Sequence, residues 1–181
     1  MVKLFSKIIL FVCLLFPFTT FSQTSVFLKP EEALKLLFKD SKEVTKETPP
    51  ISADQKSKIE KILGYDLPKS SYNFYLGKSD GKIDGYAMID DEVGKVLPIT
   101  FVTKISPDGK VEQVEIMVYR ESHGGEVATK RFLNQFRTKS FNDELRLHGN
   151  IVNVSGATLS SHALVKGVRR ALVLWQVLYA K

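Results

Sequence analysis

Two short segments hold residue types and spacings that could do chemistry. Ser155-Gly156-Ala157-Thr158-Leu159-Ser160-Ser161 is a run of small residues feeding a helical pattern. Small side chains leave room for a bulky group. The hydroxyls of Thr158, Ser160 and Ser161 suit a phosphate, and the free N–H groups of a helix N-terminus would favour its charge. The same segment also fits a simpler task, with Ser160 or Ser161 capping the helix. The second segment is Glu121-Ser122-His123-Gly124-Gly125-Glu126. Its adjacent glycines let backbone approach a ligand closely, and a helical pattern follows. It reads equally well as a plain turn from strand to helix.

Other familiar signatures are missing. The sequence has no G-x-G-x-x-G after a strand, no G-x-x-x-x-G-K-[ST], no H-E-x-x-H and no G-x-S-x-G. His123, His148 and His162 lack metal-ligand spacing and read as surface imidazoles. Asp90-Asp91-Glu92 lacks the spacing of a calcium loop and reads as a solvated loop. No catalytic side chain and no metal site are expected. Cys13 is the one cysteine, so the rest of the chain offers no thiol, disulfide or cysteine metal site.

The elements that must position the two segments follow from periodicity. Pro30-Glu31-Glu32 opens a short helix that Thr48-Pro49-Pro50 has ended, and Ser52 starts a second that Gly64 closes near Leu63. Strand signals follow: Tyr72 to Leu76, a turn at Ser79-Asp80-Gly81, and Ile83 to Ile89, with Asp90 to Gly94 as a loop. Ile99, Phe101, Thr103 and Ile105 alternate at the strand period, Pro107-Asp108-Gly109 turns the chain, and Val114, Ile116 and Val118 alternate on the return. A helix is expected between Glu126 and Arg137, and a last one from about Ser160 to Tyr179, with Leu164, Val168, Leu172, Trp175 and Tyr179 on one face. Lys166, Arg169 and Arg170 fall opposite that face, as a solvated surface or a docking patch for an acidic partner or an anionic phosphate. The class is α+β: an antiparallel meander of about four strands covered by helices.

Residues 1–22 read as a targeting segment. Lys3 and Lys7 precede the apolar run Ile8 to Phe16, Pro17 breaks it, and Thr20-Phe21-Ser22 places small residues before Gln23. Cleaved or retained as an anchor, such a segment puts the rest of the chain outside the cytoplasm, periplasmic or membrane-associated in a bacterium. Removing Lys3 and Lys7 lowers the net charge from +6 to +4. The remaining basic residues are dispersed and not interleaved with aromatics, which argues against nucleic acid as a partner.

Ser155-Gly156-Ala157-Thr158 before a helix resembles the flavin-attachment motif of the FMN-binding domain family, which includes flavin-carrying subunits of the sodium-pumping quinone reductase and of Rnf complexes. Tyr119 to Val127, Arg131-Phe132, Gln135-Phe136-Arg137 and Gly167 to Leu172 resemble the same family at matching separations. The similarity covers roughly residues 70–178. It leaves the N-terminal extension unexplained, so the chain divides into a signal peptide over 1–22 and a helical N-terminal extension over 23–66, both read from the residues, and an FMN-binding domain over 67–181 that the resemblance implies. It further implies FMN joined through its phosphate to Thr158 by a flavin transferase that uses FAD and Mg²⁺. Ser155, Gly156, Ala157, Leu159 and Ser160 would surround the attachment, with Glu121, Gly124, Gly125 and Glu126 near the isoalloxazine or phosphate. One departure stands out: the family carries Asp three residues before the motif serine, and this chain has Val152, followed by Asn153. Non-covalent FMN therefore stays open.

The functional expectation is an exported flavoprotein that passes electrons to or from a membrane or periplasmic redox partner, rather than an enzyme with its own substrate. A flavin-dependent reductase of a small extracytoplasmic acceptor and a flavin-free interaction module of the same fold are the alternatives. A visible spectrum separates the last from the others.

Overall fold

The structure, a computed structural model, describes residues 24–180; the targeting segment expected at 1–22 lies outside them. The chain runs β1 (Ser25–Val26), α1 (Pro30–Leu37), β2 (Glu43–Glu47), α2 (Ala53–Leu63), β3 (Phe74–Ser79), β4 (Lys82–Val93), β5 (Pro98–Ile105) and β6 (Val111–Tyr119). A 3₁₀ turn at Gly125–Ala128, the short α3 (Lys130–Leu133), another 3₁₀ turn at Asn134–Phe136 and the long α4 (Thr158–Leu178) complete it. The strands form one antiparallel sheet in the order β1-β6-β5-β4-β3-β2. The class is the α+β expected, with six strands rather than about four.

Both extra strands come from the stretch read as helical. Glu43-Val44-Thr45-Lys46-Glu47 pairs along β3 from Glu43–Lys78 to Glu47–Phe74. Two β-branched residues between charges suit an edge strand with one face in water. Ser25 and Val26 pair with Tyr119 and Val118 on the other edge. The second helix forms as expected, with Ser52 Oγ accepting from Gln55 N–H and Gln55 Oε1 accepting from Ser52 N–H.

Period-two alternation sends β-strand side chains to two separate cores. Phe74, Leu76, Met88, Ile99, Phe101 and Ile116 pack with α2 and with Leu164, Val168, Leu172 and Trp175 of α4. Ala87, Val102 and Met117 face the other way, onto Ala33, Leu37 and Phe38 at α1. Each large side chain fully withdrawn from water in this way contributes about 1.5–3 kcal/mol, so α4 is anchored along its length. None of the described helices is long and apolar enough to cross a membrane.

Three further expectations are corrected. Asp90, Asp91 and Glu92 are not a loop: β4 continues to Val93, and Asp90 is 1% exposed. Arg170 explains this, and it also overturns the cationic face. Arg170 is fully buried and donates to Asp90 Oδ2 at 2.6 Å and to Glu92 Oε2 at 2.6 Å. Arg169 donates to the carbonyls of Phe141 and Asp143, and Lys166 pairs with Glu92 at 2.9 Å. These cations fasten α4 to the sheet and to the 137–157 loop, so they do not form an outward patch. Finally, the helix expected from Glu126 to Arg137 is three short pieces. Thr129 is extended (φ −70°, ψ 141°), and its hydroxyl donates to the Glu126 carbonyl, which interrupts the helical ladder.

Candidate functional site

The two segments singled out by their residue types meet in space. β6 delivers the first segment immediately after Tyr119, and α4 begins within the second. Tyr119 joins them: its hydroxyl donates to the His123 carbonyl at 2.6 Å and lies 2.8 Å from Ser160 Oγ. With the single tyrosine proton used on the carbonyl, Ser160 is the donor to Tyr119 Oη. Burial raises the Tyr119 pKa, and the Ser160 hydrogen bond opposes that rise.

Gly124 sits where the segments touch. Its φ is +86°, and a Cβ there would lie 2.8 Å from Tyr119 Oη and 3.0 Å from Ser160 Oγ. Both the backbone conformation and the contact thus require glycine. Gly125, Glu126 and Ser122 are exposed on the outer side of the turn. Glu121 turns away: its Oε1 accepts from the N–H groups of Val96 and Leu97 at 2.5 and 2.8 Å. Partial burial works to raise its pKa, but the backbone donors of residues 95–97 outweigh it and hold the carboxyl below its ordinary value.

Thr158 is the first residue of α4. The N-cap is Ala157, and no side chain caps the helix, so the capping expected of Ser160 or Ser161 is not what these hydroxyls do. Ser160 bonds Tyr119, and Ser161 is fully buried with its hydroxyl unpartnered among the described residues. The first helical hydrogen bond runs from Ser161 N–H to the Ala157 carbonyl. The N–H groups of Thr158, Leu159 and Ser160 have no intrahelical acceptor, at the positive end of a 21-residue helix. Gly156, at φ +79° with open space where a Cβ would be, and Ser155 leave the approach to Thr158 clear.

A cleft of about 600 Å³ opens beside this turn, lined by Glu126, Thr129, Arg131, Phe132, Gln135 and residues 152–155. That volume suits an organic cofactor. Gln135 holds one wall: its amide accepts from Val152 N–H at 2.7 Å and donates to the Val152 carbonyl at 3.1 Å. Asn153 Nδ2 donates to Thr158 Oγ1 at 2.8 Å, while Asn153 Oδ1 is buried without a partner among the described residues. A larger hollow of about 670 Å³ lies between β6 and residues 130–138, but it touches none of the residues of either segment. The smaller cleft is therefore the candidate site.

The open approach, the free helical N–H groups and the cleft fit a cofactor ending in a phosphate. Residues 94–173 match the family model of the FMN-binding domain, and FMN is the cofactor this match supports. The fold is shared with the crystal structure of NqrC from Shewanella oneidensis, at a TM-score of 0.52 and 17% identity over 80% of this chain and 82% of that one. Among curated proteins, the chain is 27% identical over 136 residues to a subunit of the Na(+)-translocating ferredoxin:NAD(+) oxidoreductase complex of Acetobacterium woodii. That match covers 70% of this chain and 66% of the relative, just under two thirds of its length. The corresponding subunit of the proton-translocating ferredoxin:NAD(+) oxidoreductase complex of Clostridium ljungdahlii is 28% identical over 69% of this chain and 76% of its own length.

Reasoning from sequence missed Tyr119 as the link between the segments, and Asn153 and Gln135 as the supports of the 152–158 turn. A buried tyrosine hydroxyl needs a partner, but nothing in the sequence says that the partner is Ser160.

Proposed function

We propose that this chain is an electron-transferring flavoprotein that carries FMN joined through its phosphate to Thr158. The reading includes placement outside the cytoplasm, next to membrane redox partners. The observation that carries the attachment is the position of Thr158: an exposed hydroxyl on the first turn of α4, beside the cleft and in the segment the FMN-binding family resemblance singles out. The two curated relatives are subunits of ferredoxin:NAD(+) oxidoreductase complexes, which supports an electron-carrying role within such an assembly.

In this reading a flavin transferase supplies FAD and Mg²⁺. The Thr158 Oγ1–phosphorus bond forms, the pyrophosphate bond of FAD breaks, AMP leaves, and the hydroxyl proton passes to a base. The free N–H groups of Thr158, Leu159 and Ser160 then face the phosphoester, whose negative charge the helix dipole favours. Ser155, Gly156 and Ala157 keep the approach narrow in side-chain bulk. Gly124 and Gly125 keep the facing turn close, and Glu126 lines the cleft where the ring system would lie. Bound FMN supplies the electron-accepting and electron-donating chemistry, and the protein positions it and excludes water from one side.

Co-expression with a flavin transferase tests the reading. A yellow protein whose fluorescence survives denaturing electrophoresis supports it; a colourless protein with active transferase and FAD present contradicts it.

A further inference from the structure

The segment leading to α4 is held in an unusual way. Both backbone groups of Val152 are occupied by the Gln135 side chain, as a neighbouring strand would occupy them, and the Val152 side chain is left 68% exposed. The next residue consequently points inward, where the Asn153 amide donates to Thr158 Oγ1 at 2.8 Å. The other half of that amide, Oδ1, is buried without a partner among the described residues. An unsatisfied buried acceptor weakens a fold, so stability alone gives no reason for an asparagine here.

We infer that Asn153, braced by Gln135, is the positioning residue for the Thr158 hydroxyl during its modification. This inference rests on the covalent reading above. A threonine hydroxyl has one proton and two lone pairs. The Asn153 N–H engages one lone pair and selects one χ1 rotamer, which leaves the second lone pair for phosphorus and the proton free to depart. An amide takes up no proton, so Asn153 orients the nucleophile without acting as its base. In the transfer, the Oγ1–phosphorus bond forms, the FAD pyrophosphate bond breaks with AMP leaving, and the proton goes to a base of the transferase or to water.

The test compares wild type, Asn153→Ala and Asn153→Asp in two measurements. In flavin-free protein, three-bond couplings to the Thr158 methyl report its χ1. One rotamer is expected in wild type and in Asn153→Asp, whose carboxylate can accept from the hydroxyl, and an average over rotamers in Asn153→Ala. In transfer kinetics with FAD and a flavin transferase, Asn153→Ala should lower kcat by roughly ten- to a hundredfold with KM for the acceptor protein nearly unchanged. Asn153→Asp should restore much of the rate and add a dependence on carboxylate ionisation. Thermal unfolding of Asn153→Ala should match wild type or exceed it. A single unchanged Thr158 rotamer in folded Asn153→Ala, or a transfer rate equal to wild type, overturns the inference. A wild-type chain that accepts no FMN sinks the covalent reading instead, while the couplings still decide what Asn153 does.

Discussion

The guanidinium of Arg170 donates from both Nε and Nη2 to one oxygen of Asp90, Oδ2, at 2.8 and 2.6 Å, with both side chains fully withdrawn from solvent. Lys69 Nζ reaches the second oxygen, Oδ1, at 2.7 Å, and Glu92 takes Arg170 Nη1. Burial alone would lower the Arg170 pKa, but Asp90 and Glu92 outweigh it and raise the pKa above its ordinary value. This cluster fastens the middle of α4 to β4, and so fixes where the first turn of the helix, with Thr158, stands against the sheet.

Removing the guanidinium leaves the buried Asp90 with Lys69 alone and Glu92 with Lys166 alone, and empties a buried position between them. Arg170→Met is expected to cost about 3–5 kcal/mol, read as a lowered urea midpoint at pH 7. Asp90→Asn should cost less, because Glu92 still pairs with the guanidinium. Equal and negligible losses for both variants would show that the cluster does not hold α4.

Tyr119 carries the contact between the two site segments. Tyr119→Phe leaves the His123 carbonyl and the Ser160 hydroxyl without it, and a loss of about 1–3 kcal/mol is expected. The same variant should loosen the Glu121–Glu126 turn, seen as faster amide exchange at Gly124 and Gly125 than in wild type. Unchanged exchange there would mean that the turn is held by other contacts.

The Glu121 carboxylate gives the fold a defined pH dependence. Its folded-state pKa lies below the ordinary 4.5. The stability it contributes is therefore fully present above that ordinary value and is lost as pH falls through the folded-state pKa. Wild type should lose stability across this acid window more steeply than Glu121→Gln, in urea titrations at a series of pH values. Parallel profiles would show that the 95–97 backbone is not held by ionised Glu121.

The meander was legible because β5 and β6 alternate in sequence around the Pro107-Asp108-Gly109 turn, which needs no distant information, but register shifts at Thr100/Phe101 and Lys104/Ile105 put Val118 with the other core from Ile116. β2 was not, because Glu43 to Glu47 is charged at both ends and becomes a strand only by pairing with β3. Asp90 and Arg170 read as surface residues, since each is a charge whose burial depends on the other, across 80 positions of sequence. In the site, the residue types of Thr158 and Gly124 pointed to their places, because positive φ, small size and a hydroxyl are local properties. Asn153 and Gln135 act through neighbours 5 and 17 residues away, and their roles emerge only once the turn is folded.

Export carries its own expected outcome. Protein recovered from the producing cell should begin at Gln23, as read by intact mass and N-terminal sequencing. Full-length chain in the cytoplasm would remove the argument for an extracytoplasmic site.

The central claim, FMN on Thr158, is tested most directly by intact mass of wild type and Thr158→Ala, each co-expressed with a flavin transferase. Thr158 is exposed, so its loss should change stability little and leave the fold intact. Wild type is predicted to gain the mass of one FMN less one water, localised by peptide mapping to the fragment containing Thr158, and Thr158→Ala to gain nothing. Wild type at its unmodified mass, or the same gain in Thr158→Ala, would contradict the account.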